Sequence, residues 1–378
     1  MQGGTAYDAL VRKDRGFSFC DTCMMDGKVR NRSGTALMRL PDRRVGEAFL
    51  DVKKQSEIRL LFPCRQFIYD HPKEEAIMKI MKTATEKRIA FRENLKSGHI
   101  MIAPGVGDAL GAKIAEMAGI PALAMGGYSV SASRLGQPDV GLLSCTEMAE
   151  QLTGICHAVN IPIIADGDTG YGNALNIIRT EQMFEQAGAA CIFFEDQAWP
   201  KRCGHMDGKQ VIAAEEHAQK IRAAVDARFD KETMIMSRTD SRAVYGIDDA
   251  IERSKRYADA GAEICFADGI GSREELEKFA RGLEGSGACL VANMIEGGKT
   301  PLIPAKELEE MGYSVVFWAC SAVYAISKTL YDLFTDLKEK GTTEDHLKNM
   351  IEFGHFNSII GLDTYKELER KYKVDRDD

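Results

Sequence analysis

From residue 98 onward the chain keeps a steady beat. Eight short apolar runs, His99–Val106, Ala122–Gly127, Ile161–Asp168, Cys191–Asp196, Thr233–Asp240, Ile264–Gly269, Cys289–Ile295 and Ser314–Cys320, alternate with longer amphipathic stretches. The runs are bounded by Gly, Asp or Pro, as strands of a parallel sheet buried on both faces are. Between them the apolar spacing becomes helical. Asp108–Ala118 places Leu110, Ile114 and Met117 on one face, and Ala174–Gln186, Ala213–Ala227, Asp248–Ala260 and Arg273–Leu283 follow the same pattern. Gly119, Gly188 and Gly261 stand where helices end in a left-handed residue. Eight βα units over about 250 residues predict an α/β fold, a (β/α)8 TIM-type barrel. A doubly wound open sheet is the other arrangement of such units, and eight consecutive repeats favour closure.

The sequence before this rhythm is different in kind. Residues 1–55 carry 11 basic and 7 acidic side chains, while the whole chain of 378 residues carries a formal charge of −8. We divide the chain into an extension over 1–73, a leading helix over 74–97 and a barrel domain with C-terminal helices over 98–378. The helix is read from Ile77, Ile80, Met81 and Ala84 on one face. Cys20 and Cys23 form a C-x-x-C pair, with Cys64 and His71 as the close candidates for completing a zinc site; the plainer reading is an incidental pair. The acidic balance gives no electrostatic reason to expect nucleic acid as a partner. The longest apolar stretch, Val315–Ile326, is short of a membrane span, so no membrane partner is expected. Ten scattered cysteines, several inside apolar runs, fit a reducing compartment. We expect the cytoplasm, with an organellar address left open.

Polar residues gather at one end of the runs: Gly126–Tyr128, Asp166 and Asp168, Glu195 and Asp196, Arg238 and Asp240, Asp268, and Asn293. In a barrel the carboxyl ends of the strands form one rim, where active sites are built. Asp166 and Asp168 are one residue apart, which at a strand end turns both carboxylates the same way, and Glu195 can join them. An all-oxygen set favours Mg2+. D-x-D alone also suits a turn; the rim setting favours the ligand reading. Glu195-Asp-Gln-Ala-Trp-Pro-Lys-Arg-Cys-Gly-His205 then supplies a thiol loop. Lys201, Arg202 and His205 around Cys203 are expected to favour the thiolate and proton exchange near neutral pH. Gly204 and Gly208 allow the loop to close over a ligand.

Lys201-Arg-Cys-Gly-His205 resembles the lyase signature of the isocitrate lyase/phosphoenolpyruvate mutase superfamily. Leu135-Gly-Gln-Pro-Asp139, Ala165-Asp-Gly-Asp-Thr-Gly170, Phe194-Glu-Asp-Gln197, Arg238-Thr-Asp240 and Ala292-Asn-Met-Ile-Glu-Gly-Gly298 match in order. The resemblance covers roughly residues 95–370. It is closest to the small lyases, the branch of 2,3-dimethylmalate lyase, petal death protein and carboxyvinyl-carboxyphosphonate phosphorylmutase. It implies a Mg2+-dependent barrel, with Mn2+ as a substitute, in a homotetramer whose last helices swap between subunits. It further implies that Asp166, Asp168 and Glu195 hold the metal, partly through water, with Asp139 nearby. Cys203 would protonate a carbanion and Arg238 would bind carboxylate or oxyanion. Gly127, Tyr128 and Ser129 would contact the substrate carboxylate. His205, Lys201 and Asn293 would assist, with Gly204 and Asp268 at the substrate.

The activity so implied is cleavage of a small 2-hydroxy di- or tricarboxylate, of 2,3-dimethylmalate or 2-methylisocitrate type, to a 2-oxo acid and a carboxylate. The residues agree with it on chemical grounds. An enediolate dianion needs concentrated positive charge, supplied by Mg2+, Arg238 and Lys201, and then a proton donor such as Cys203. Three other readings stay open: oxaloacetate hydrolysis, rearrangement of phosphonopyruvate or carboxyphosphonoenolpyruvate, and a binding protein that kept the fold. The rearrangement is disfavoured because those mutases carry an Asn-containing gating loop. Two departures from the family stand out. Gly126 replaces a usual Ser and Asp268 a usual Glu. Trp318, Cys320 and Ser321 lie where selectivity is expected to be set.

Overall fold

The structure is a computed structural model that describes residues 81–206 and 208–374, together with three short strands nearer the N-terminus. The chain divides into two compact units, Met1–Glu75 and Ala76–Asp378. In the first, Ala36–Met38, Ala48–Leu50 and Leu60–Leu61 pair as an antiparallel meander. The C-x-x-C pair lies outside the described residues.

In the second unit all eight apolar runs form strands: β1 (Met101–Pro104), β2 (Leu123–Met125), β3 (Ile163–Asp166), β4 (Cys191–Glu195), β5 (Met234–Thr239), β6 (Ile264–Ala267), β7 (Cys289–Met294) and β8 (Val315–Trp318). Neighbours pair in parallel from β2 round to β8, and β8 pairs with β1. The ring is completed by one bridge, Gly105 opposite Ala124, where Val106 N donates to Ala124 O over 2.9 Å. It is a nearly closed eight-stranded barrel wrapped by helices. Gly119, Gly188 and Gly261 take φ of +82°, +106° and +105° at helix ends, as expected. No helix of the described residues is long and apolar enough to cross a membrane.

The barrel interior follows the two-residue period of each strand. Met101 and Ala103, Ala122 and Ala124, Ile164, Cys191 and Phe193, Met234 and Met236, Ile264 and Phe266, Val291, and Val315 and Phe317 fill it. Phe193, Phe266 and Phe317 meet with ring centroids 5.7 to 6.3 Å apart and form an aromatic floor. The other phase of each strand packs against the helices.

The helix before the barrel departs from the expected span. Residues 81–83 are not helical, and the helix runs Ala84–Lys96. Thr83 caps it, accepting from Glu86 N while the Glu86 side chain accepts from Thr83 N, a capping box that fixes the start. Its buried face is Lys87, Arg88 and Phe91, while Met81 is exposed and Ala84 half-buried; Ile77 and Ile80 lie outside the described residues. Phe91 plugs the amino end of the barrel interior. Arg88 donates to the carbonyls of Ala189 and Glu185 and to Asp230.

Candidate active site

One further step along each inward phase leads from the aromatic floor to the rim. Ile164 is followed two residues on by Asp166, Phe193 by Glu195, Met236 by Arg238, Phe266 by Asp268 and Val291 by Asn293. Strand periodicity therefore turns these polar groups into one space. Asp196, read from sequence as a rim residue, has the opposite phase. It faces the helical layer and accepts from Thr239 Oγ1 (2.7 Å), Tyr257 OH (2.9 Å) and the backbone N of Asp240 (2.9 Å), with Arg253 at 3.2 Å.

Asp166 and Asp168 do come together, but not by strand periodicity. The strand stops at Asp166, and Asp168 has a left-handed φ of +49°. Asp168 N donates to Asp166 Oδ1 over 2.9 Å, and Gly127 N donates to Asp166 Oδ2 over 2.9 Å. Burial, then the neighbouring charge of Asp168, pushes Asp166 up to about 6. Lys201 reaches from the loop into this cluster, with Nζ 2.6 Å from Asp139 and 2.5 Å from Asp168. Burial disfavours its charge, yet these carboxylates hold it above the usual lysine range.

Arg238 is the hub of the other half. Nε and Nη2 donate to Asp240 (2.9 and 3.1 Å), Nη2 lies 2.9 Å from Asp268, and Nη1 lies 3.2 Å from Glu195. Its guanidinium sits 5.6 Å above the Phe266 ring. Asp268 also accepts from Asn293 Nδ2 at 3.1 Å and meets His205 Nε2 at 3.3 Å. Burial works against its ionisation, but Arg238 and His205 hold it below the usual carboxylate range. His205 Nδ1 accepts from Lys299 N.

The Cys203 loop is seated on this hub. A Cβ at Gly204 would stand 1.9 Å from Asp268 Oδ2 and 2.5 Å from Arg238 Nη2, so only glycine lets the backbone approach so closely. Gln197 fixes the loop's start, accepting from Arg202 N and donating to Arg202 O. The thiolate expectation is overturned. Burial, with Asp268 adding to it, pushes the Cys203 thiol up to about 11. Of its sequence neighbours, Lys201 is spent on Asp139 and Asp168, and the His205 ring faces Asp268. Cys203 is a protonated thiol at neutral pH.

Three expected substrate contacts lie at the β2 end. Gly127 N is given to Asp166, Ser129 Oγ donates to Ala319 O, and the Tyr128 ring meets Tyr324 edge-on at 6.2 Å. A Cβ at Gly126 would meet nothing within 4 Å, so the missing serine side chain leaves space.

The acidic side chains suit a hydrated hard cation. Neither oxygen of Glu195, fully buried, accepts a hydrogen bond, though Arg238 Nη1 stands 3.2 Å away. Among the described residues no three acidic, His or Cys groups converge to hold a metal ion directly. Lys201 holds positive charge there.

Such a barrel, with a charged inner rim under a thiol loop, defines an enzyme that handles small anionic substrates. The phosphoenolpyruvate phosphomutase family matches residues 91–338. The chain is 44% identical over 286 residues, 76% of its length and 98% of the relative's, to 2,3-dimethylmalate lyase of Eubacterium barkeri. It is 47% identical over 286 residues, 75% and 84% of the two lengths, to carboxyvinyl-carboxyphosphonate phosphorylmutase, chloroplastic, of Arabidopsis thaliana. A crystal structure of 2,3-dimethylmalate lyase superposes with a TM-score of 0.72 at 32% identity, over 77% of this chain and 96% of that one. Oxaloacetate acetylhydrolase bound to 3,3-difluorooxalacetate gives 0.72 at 29% identity, over 76% and 97%. The chain belongs to the phosphoenolpyruvate mutase/isocitrate lyase superfamily.

Sequence reasoning did not single out Lys209, and it quoted Gln197 only within the Phe194-Glu-Asp-Gln197 match, without a role. Lys209 has no spacing signature; what places both side chains is the path of the loop in space.

Proposed function

We propose that this chain cleaves the C2–C3 bond of a small 2-hydroxy di- or tricarboxylate, of 2,3-dimethylmalate or 2-methylisocitrate type, with Mg2+. The chain is an enzyme of the carbon–carbon lyase class, the class of its close relatives. The observation that carries the finer reading is the seating of the Cys203 loop directly on the Arg238–Asp268 pair.

Asp166, Asp168 and Glu195 would hold the metal, with Asp139 beside them. Mg2+, when bound, supplies charge for the substrate's oxygen anions. Arg238 neutralises charge that grows on the leaving fragment, from a fixed position over Phe266. Once the 2-hydroxyl has passed its proton to a carboxylate of the Asp139–Asp166–Asp168 cluster, the C2–C3 electron pair passes to C3 and C2 becomes a ketone carbon. The Cys203 thiol then gives its proton to C3. A protonated thiol is the form this step needs, and burial keeps it so. His205 and Asn293 fix Asp268, and Lys201 balances the acidic cluster. Gly127, Tyr128 and Ser129 border the substrate carboxylate, and Gly204 lets the loop close against it.

We further propose a homotetramer that exchanges C-terminal helices. Ser321–Lys340 has no buried residue, although Ile326, Leu330, Tyr331, Phe334 and Leu337 lie along it. Such a surface needs a cover. Light scattering on the full chain tests it, and a monomer would sink it. The described cysteines are all free, which fits the cytoplasm or another reducing compartment.

The activity test is a mass-spectrometric product screen of C4 to C7 hydroxy diacids, with Mg2+ and with EDTA. A 2-oxo acid plus a carboxylate, released only with metal, is expected. No product across the panel overturns the reading. Oxaloacetate hydrolysis is the second reading, favoured by the likeness to oxaloacetate acetylhydrolase. Acetate plus oxalate from oxaloacetate would establish it.

A further inference from the structure

The Cys203 loop leaves and rejoins the barrel as an antiparallel pair. Gln197 bridges Val211, Ala198 N donates to Gln210 O (2.8 Å) and Ile212 N donates to Asp196 O (2.9 Å). On the returning limb Lys209 turns its side chain inward, beneath the loop, and is 8% exposed. Its Nζ donates to the backbone carbonyl of Gly204 and to Asp240 Oδ1, the latter over 2.9 Å. The same Asp240 carboxylate takes the Nε and Nη2 donors of Arg238. Gly204 in turn touches Arg238 and Asp268. One carboxylate therefore anchors both the guanidinium under the loop and the ammonium that grips the loop.

An ammonium buried this deeply needs acceptors on more than one side. Asp240 belongs to the barrel and stays in place when the loop moves. The Gly204 carbonyl belongs to the loop and is in reach only when the loop is seated. Lifting the loop would strip Lys209 of one acceptor, so the lysine biases the loop toward closure.

We propose that Lys209 is the latch of the Cys203 loop, a positioning residue that holds the thiol over the rim by gripping the Gly204 carbonyl while anchored on Asp240. Its catalytic importance rests on the reading of Cys203 as proton donor; its grip on the loop does not. Without the latch the loop spends more time lifted and the thiol meets solvent.

The test is the rate at which iodoacetamide modifies Cys203 in the full-length protein at pH 8, followed peptide by peptide by mass spectrometry. Lys209→Met is expected to raise that rate about tenfold or more, as local opening does, with the rates of Cys156, Cys191 and Cys265 unchanged. Turnover should fall in kcat and much less in KM. Gly204→Ala, which forces the loop off Asp268, should expose Cys203 too. Because the Gly204→Ala loop is already lifted out of reach of Lys209, the double variant should be modified no faster than the faster single one. A folded Lys209→Met protein whose Cys203 reacts at the wild-type rate overturns the proposal, even with kcat reduced, and so do effects that multiply. Should Lys209→Met fail to fold, the unaltered protein decides. Lys209 reductive methylation and Cys203 alkylation should slow in parallel when oxalate and Mg2+ are added; independent rates overturn the latch. None of the modification rates requires a substrate, so a chain inactive on the acid panel would still report on it.

Discussion

Arg238 Nη2 stands 2.9 Å from Asp268 Oδ2, and the Gly204 backbone closes against both. Asp268 is one methylene shorter than the glutamate usual in the family, and the room so gained is where the loop sits. Asp268→Glu would push a carboxylate into that backbone. It is expected to lower kcat/KM by about a hundredfold, the cost of about 1 Å of misplacement at a reacting centre. Steady-state kinetics on the best acid from the panel would measure it. Activity equal to the parent would mean that the loop does not close on this pair during turnover.

Arginine at 238 engages three carboxylates through a planar fork. Lysine keeps the charge but cannot reach all three. Arg238→Lys is expected to cost about 10²–10³ in kcat, in the range found for loss of one preorganised charge-stabilising donor. A thermal melt should accompany the kinetics, because Glu195, Asp240 and Asp268 are buried and lose a partner. Unchanged kcat would remove Arg238 from the chemistry.

Cys203 makes a prediction in pH. Its thiol lies at about 11 in the folded chain against an ordinary value of 9.0. The folded value is raised, so this group's contribution to stability is complete below pH 9 and is lost as pH rises toward 11. Wild type should therefore lose melting temperature relative to Cys203→Ser between pH 9 and 11, with a constant difference between pH 6 and 8. Cys203→Ser should also lose most turnover at pH 7.5 while keeping its fold. A difference that widens between pH 6 and 8 instead would mean that the thiol titrates near neutrality.

The barrel was legible because its strands are buried on both faces and so read as unbroken apolar runs, and because Gly188 and Gly261 punctuate the helices between them. The rim was legible because polar residues stop those runs at one end. What spacing alone could not give was orientation. Glu195 and Asp196 look alike in sequence, yet one faces the barrel and the other the helices. Lys201 flanks Cys203 along the chain but spends its charge on carboxylates, and burial of the thiol reverses the expected effect. The leading helix was placed by apolar period, whereas Thr83 and Glu86 set its start and Arg88 carries much of its docking. Lys209 was invisible because its role depends on a loop folding back by five residues.

The neighbouring acids Glu195 and Asp196 allow the site to be separated from its support. Glu195 is buried with neither oxygen in a hydrogen bond, its charged neighbour being Arg238 Nη1 at 3.2 Å, and burial raises its carboxyl well above the usual range, so a neutral amide replaces it at small cost. Glu195→Gln should leave the melting temperature within about 3 °C of the parent, a change of order 1 kcal/mol or less. It should also weaken Mg2+ activation by about tenfold to a hundredfold. Asp196 is satisfied by Thr239, Tyr257, Arg253 and the backbone of Asp240. Asp196→Asn removes the charge that balances Arg253 and is expected to cost about 3 kcal/mol of stability, in the range for a broken buried pair. Its Mg2+ dependence should stay that of the parent, since the carboxylate does not face the rim. Urea unfolding of both variants, paired with Mg2+ titration of activity, decides between them. Equal losses of stability would mean that the strand does not divide its two acids between site and core.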